Sequence, residues 1–224
     1  AQGRVLMDAI EIDAFTQKNF PLIAAPHGGQ LAKPQGDGTR YIVAKDGLYW
    51  ELQTPWLYTV QPAGLPLGMF GINGRQTPYG ELAAVVEMNV SNPPKQLWAE
   101  FLEHARAAMP NEAAALLVWN RMEGTWRLAL RSATAASAVR IEYVNPQLAD
   151  DEIAVIDVHS HGDLPAFFSQ EDNADDDGGI KLSVVFGHIG KERPEIVSRL
   201  VCLDRFIPLR MNADGGFEVE GRLQ

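Results

Sequence analysis

The stretch from Ile153 to Asp172 constrains what this chain can fold into more than any other. Ile153, Val155 and Ile156 are the apolar residues of a buried strand, and that strand runs directly into Asp157-Val158-His159-Ser160-His161. Side chains two apart in a strand share a face, so His159 and His161 project together while Ser160 projects the other way. Two imidazoles held side by side are half of a zinc site. A loop through Gly162-Asp163-Leu164-Pro165-Ala166-Phe167-Phe168 then returns the chain to Ser169 and Asp172, where a carboxylate can complete the ligand set.

Each half of this pattern also has an ordinary explanation. An isolated His-x-His on a strand is more often a surface or packing feature than a ligand pair. Ser169 with Asp172 is also what a helix N-terminus looks like, the serine as N-cap and the carboxylate in the first turn. The two explanations are compatible, because a helix start is a rigid place from which to present Asp172. What favours the metal reading is the two halves occurring together in a chain with only 5 histidines. Of the other three, His27 beside Gly28-Gly29 reads as a loop residue and His104 as a surface position on a helix. His188, after Phe186-Gly187, reads as structural or exposed.

Charge and cysteine content exclude several classes of function. The net charge of −10 argues against nucleic acid as the main partner. Residues 1–90 carry 6 basic and 8 acidic side chains, and residues 91–224 carry 13 and 21, so the acidity accompanies the histidine pair. Glu171, Asp172, Asp175, Asp176 and Asp177 concentrate it in what reads as a solvated acidic loop, or as an attraction for a basic substrate tail. Cys202 is the only cysteine, which rules out an intrachain disulfide and any cysteine-built zinc cluster. No apolar run approaches the roughly 20 residues that cross a bilayer, and the apolar stretch within Ala1 to Asp8 is too short for a signal peptide. A cytoplasmic protein is expected, with no nucleic-acid or membrane partner.

The first ninety residues read as β-rich, with no catalytic constellation. Tyr41 to Lys45 and Leu48 to Leu52, joined by Asp46-Gly47, predict a hairpin with a tight two-residue turn at positive φ. Glycines and prolines from Pro55 to Gly80 then punctuate short strands or loops, and Leu82 to Val90 reads as a strand or short helix. Ser91-Asn92-Pro93-Pro94 is the expected boundary, with Asn92 capping a helix that starts at Pro93. Leu97, Trp98, Phe101, Leu102, Ala105, Ala108 and Met109 recur at helical spacing up to Pro110. Strands are expected over Ala113–Trp119, Thr125–Leu130, Val139–Val144, Ile180–Phe186 and Ile196–Leu203. A final hairpin is expected over Phe206–Arg210 and Phe217–Glu220. The fold class is therefore α/β: a mixed sheet with flanking helices over 91–224, preceded by a β-rich region over 1–90.

The spacing His-x-His-x7-Ser-x2-Asp resembles the signature of the JAMM/MPN+ (JAB-domain) zinc metalloproteases, over about residues 93 to 210. Met109-Pro110-Asn111-Glu112 resembles the element that carries that family's catalytic glutamate. The resemblance implies a JAMM/MPN-like fold and one zinc per chain held by His159, His161 and Asp172. It implies Glu112 as general base and Ser169 as a hydrogen-bond donor to the oxyanion. A metal so held lowers the pKa of water toward about 7. Asp157 shares the histidines' strand face and reads as solvent-facing, with orientation of a ligand as its alternative role.

The implied activity is hydrolysis of a peptide or isopeptide bond after the C-terminal tail of a ubiquitin-like or carrier protein. The alternative is an MPN-type scaffold that binds a partner with little turnover. Family glycines appear here as Ala115 and Trp119, and the proline usual after the second histidine is Gly162. The Leu164 to Ser169 run, with the extra N-terminal region, is most similar to the bacterial JAB-domain component of PRTRC gene systems. The patterns of zinc deaminases and of His-Glu-x-x-His proteases are absent.

Overall fold

A computed structural model of the chain describes residues 9–28, 31–64, 77–136 and 141–221. Residues 65–76 of the punctuated segment, and Val139 and Arg140 of an expected strand, lie outside the described residues. The chain divides into two units, one ending at Asn89 and one running from Val90 to Arg222.

The N-terminal unit is a five-stranded sheet: β1 (Leu22–Ala24), β2 (Gly38–Val43), β3 (Leu48–Gln53), β4 (Leu57–Pro62) and β5 (Val85–Met88), in that spatial order. β1 runs parallel to β2, and the remaining pairs are antiparallel. Ala25, Ile42, Ala44, Tyr49, Tyr58 and Val60 form its core. The expected hairpin is present, but its turn is wider than two residues. Val43 pairs with Leu48, Ala44 N–H donates to Gly47 O at 2.8 Å, and neither Asp46 nor Gly47 adopts a positive φ. The reason is local: Asp46 accepts a hydrogen bond from the Tyr49 hydroxyl at 2.9 Å, and Lys45 is tied by its backbone to Gly80 and Thr77. Of Leu82 to Val90, Val85–Met88 form β5. A helix the pattern did not predict, α1 (Ala9–Asn19), precedes the sheet.

The C-terminal unit opens with α2 (Lys95–Ala108). Its start is two residues later than expected, with Pro94 at the N-cap position. A proline disfavours the helical region for the residue before it, so Pro94 keeps Pro93 out of the helix. Asn92 instead donates to the Asp214 carboxylate at 3.0 Å. Then follow β6 (Ala114–Asn120), β7 (Thr125–Leu130), a small two-stranded ribbon of β8 (Ser132–Ala136) and β9 (Ile141–Val144), and β10 (Glu152–Ser160). After β10 come α3 (Gln170–Asp176), β11 (Gly179–Gly187), β12 (Glu195–Leu203), β13 (Arg205–Met211) and β14 (Phe217–Val219). The main sheet has the order β14-β13-β12-β11-β10-β6-β7. Only β10 and β11 run parallel in it, with α3 in the connection between them.

The two faces of this sheet differ in chemistry. α2 lies on the apolar face, where Trp98 and Phe101 meet Phe186 with ring centroids 6.1 and 5.7 Å apart. Val158, Val184 and Leu200, all fully buried, alternate onto that side. Asp157, His159, Lys181, Ser183 and Arg199 alternate onto the other side, beneath α3. Among the described residues, no helix is long and apolar enough to cross a membrane.

Candidate metal centre

β10 sits between β6 and β11, hydrogen-bonded to both, which fixes the histidines it carries. His159 is opposite Ala114 on β6 and beside Val185 on β11. His161 lies just past the strand end and continues the ladder by donating its N–H to Phe186 O at 2.8 Å. Ser160, fully buried between them, points the other way. Its Oγ accepts the Ala113 N–H at 3.1 Å, and its own N–H donates to Ala113 O at 2.9 Å. This double link pins the start of β6, and with it Glu112, to the strand end where the imidazoles project.

His159, His161 and Asp172 converge, with donor atoms within 4.8 Å of one another. The His159 and His161 Nε2 atoms are 3.2 Å apart, and Asp172 Oδ1 is 3.3 Å from His159 Nε2. Tetrahedral zinc with bonds of roughly 2.0–2.1 Å needs neighbouring donors about 3.3 Å apart, so both separations suit a shared zinc ion. For His161 and Asp172 the atom not facing the shared site is committed elsewhere. His161 Nδ1 faces Pro165 O at 3.3 Å, which sets Nδ1 as the protonated nitrogen and leaves Nε2 its lone pair. Burial keeps the His159 imidazole below its usual pKa, hence neutral and able to ligate. Asp172 Oδ2 accepts from both the Ser169 N–H and the Ser169 hydroxyl at 2.7 Å, leaving Oδ1 turned toward His159. Burial works to raise the Asp172 pKa, but the neighbouring His159 and the Ser169 hydrogen bonds outweigh it and hold the group below its usual value, ionised. Two imidazoles and one carboxylate are a donor set suited to zinc.

Ser169 is the N-cap of α3, in a reciprocal box with Asp172: its Oγ accepts the Asp172 N–H at 3.0 Å. The one hydroxyl proton therefore goes to Asp172 Oδ2, and donation to an oxyanion would require it to rotate away. Glu112 lies half-buried just before β6. Burial first, then the charges of Asp172 and Glu171, push its pKa up to about 7.

Two expectations are corrected. Asp157 is not solvent-facing: its side chain is 13% exposed, held by the Arg131 guanidinium through two bonds of 2.8 and 3.1 Å and by Lys181 Nζ at 3.0 Å. The acidic segment after Ser169 is not a uniform solvated loop. It forms α3, and Asp176 is 4% exposed, bound to Lys181 Nζ at 2.6 Å and Arg199 Nη2 at 2.6 Å. Glu171, Asp175 and Asp177 do face water. His188 is structural, with φ 50° and Nδ1 2.7 Å from Asp163 O. Lys181 and Arg199 were passed over in the sequence, and Asp176 was read only as one of the acidic run. The available signal was a charge at the centre of an apolar strand, Arg199 in Ile196 to Val201, which a chain buries only with partners.

A mixed sheet with an imidazole pair at the end of an interior strand, β10, and a carboxylate on the following helix defines a JAB-like α/β domain. Residues 94–201 match the family of prokaryotic homologs of the JAB domain, a family that includes metalloproteases. Residues 10–89 match a domain of unknown function, DUF2016, and the two together are consistent with the PRTRC-type JAB protein. No curated protein matches the chain. Among solved structures, the chain is similar to the solution structure of protein DSY2949 from Desulfitobacterium hafniense, at 21% identity. That match covers 57% of this chain and 87% of the other, with a TM-score of 0.36.

Proposed function

We propose that the C-terminal unit is a zinc-dependent peptidase or isopeptidase acting in the cytoplasm on the C-terminal tail of a ubiquitin-like or carrier protein. The observation that carries this reading is a three-donor set, His159, His161 and Asp172, beside a carboxyl at Glu112 poised near neutral pH. When bound, zinc supplies Lewis acidity and lowers the pKa of water toward about 7. Glu112 takes the proton of the attacking water as its oxygen bonds to the carbonyl carbon, and returns it to the amine as the C–N bond breaks. A group with a pKa near the working pH suits both halves of that transfer. Ser160 holds Glu112 in register with the histidines, and Pro165 O keeps the His161 ring in its ligating tautomer.

One observation favours a second reading, a docking scaffold with little turnover: the Ser169 proton is already given to Asp172. The two readings separate in one experiment. Zinc-loaded protein is mixed with ubiquitin-like proteins bearing residues beyond their C-terminal glycine, and the products are weighed by mass spectrometry. Cleavage at the glycine, lost on adding a chelator, is expected. Saturable binding of an intact tail would leave the scaffold.

A further inference from the structure

We propose that Arg199 is a positioning residue of the metal centre, tying both ends of α3 to the sheet and so setting where Asp172 stands relative to His159 and His161. This rests on the metal-centre reading above and goes beyond it. The histidines ride on β10, which two neighbouring strands hold. Asp172 rides on a helix of 7 residues, Gln-Glu-Asp-Asn-Ala-Asp-Asp, far shorter than the roughly 12–15 residues that even a good helix former needs to persist alone. That helix has no apolar stripe with which to grip the sheet. Its only buried residue among those described is Asp176, a charge.

The grip comes from Arg199, at the middle of β12 and opposite Ser183 on β11. Its Nε and Nη2 donate to Asp176 Oδ2 at 3.0 and 2.6 Å, at the C-terminal end of the helix. Its Nη1 donates to Asn173 Oδ1 at 2.6 Å, one residue beyond Asp172. The guanidinium carbon also lies 3.8 Å from the Phe168 ring centroid and 4.0 Å from that of Phe206. Phe168 immediately precedes the N-cap Ser169, so one planar cation reaches the start, middle and end of the helix. Such a fork fixes direction as well as distance, which an ammonium does not. Ser183 Oγ at 2.8 Å and Lys181 Nζ at 2.6 Å complete the shell around Asp176, and Lys181 extends the chain of charges to Asp157. Arg199 touches none of the three donors. Its influence on the metal passes through the helix.

The test is a cobalt(II) titration of the full-length metal-free protein, whose visible absorption reports affinity and the number of donors. Arg199→Met should weaken cobalt binding by roughly 10–100-fold, the usual effect of losing an outer support of a ligand, and weaken the absorption bands of the four-coordinate ion. Arg199→Lys keeps a charge against Asp176 but loses the fork and the stacking, and should also lose affinity. It is the arm that remains if the methionine variant does not fold. Leu200→Ala, beside Arg199 on the same strand but on the α2 face, controls for general loosening. It should lower the unfolding midpoint yet bind cobalt within about threefold of wild type, well short of that range. Arginine variants that bind like wild type would overturn the inference and leave the metal centre intact. So would a Leu200→Ala loss as large as theirs. A wild-type chain that takes up no cobalt would overturn the metal centre itself, and this inference with it.

Discussion

Glu112 carries a raised pKa of about 7 for a stated cause, burial beside the carboxylates of Asp172 and Glu171, and that cause makes a stability prediction apart from catalysis. In the unfolded chain the group titrates near 4.5. Its folded value is higher, so the stability it gives is fully present below the unfolded value and is lost as pH rises through about 7. Metal-free wild type should therefore lose unfolding midpoint relative to Glu112→Gln between pH 5 and pH 8, read by urea denaturation at each pH. Parallel curves would remove the buried-carboxyl account. In the zinc-loaded protein the same substitution should leave metal content unchanged and slow turnover by roughly 10²–10⁴, the range for losing a general acid–base. At this scale the site was legible because its residues are local: His159, His161, Ser169 and Asp172 fall within one short stretch whose spacing is itself the signal. The partners of Asp157 and Asp176 were not legible. Arg131, Lys181 and Arg199 lie on three other segments, and only the folded sheet brings them to these two carboxylates.

Among the elements, the loop between His161 and Ser169 depends on a close approach at Gly187. A Cβ there would sit 2.1 Å from Ala166 N and 2.3 Å from Pro165 C, both backbone atoms that cannot swing aside. The same loop supplies Pro165 O to His161 and is clamped by the His188 and Ile189 N–H groups donating to Leu164 O and Gly162 O at 2.8 Å. Gly187→Ala should therefore destabilise by about 1–3 kcal/mol, as overpacking does, and weaken zinc binding by displacing the His161 support. Thermal melts with and without zinc check both effects, and an unchanged zinc response would detach the loop from the site. Strands were readable because burial imposes alternation, as over Thr125–Leu130, and α2 because its stripe faces the sheet. α1 was not, because no side of Ala9–Asn19 is buried among its described side chains and no periodicity results. The Asp46-Gly47 turn was misjudged because Asp46 is recruited by Tyr49, a contact that a turn rule does not include.

For the whole molecule, a metal held by His159, His161 and Asp172 would link site to stability. A ligand that binds only the folded state adds about 2.7 kcal/mol at 100 times its dissociation constant, which for a chain of this size is roughly 5–10 °C in the melting midpoint. That shift should appear in the transition of the C-terminal unit and vanish in His159→Ala. The mixed α/β class was legible from the succession of strands and a single long helix. The polar character of one sheet face was not, since alternation alone does not say whether α3 or water covers Lys181 and Arg199. The measurement that bears most directly on the central claim is metal stoichiometry by elemental analysis, on full-length protein purified without chelator, for wild type and for the His159→Ala, His161→Ala and Asp172→Ala variants. About one zinc per chain in wild type, with each variant strongly depleted, is the predicted result. A wild type without zinc, even after zinc is added back at neutral pH, or variants that retain it, would contradict the account.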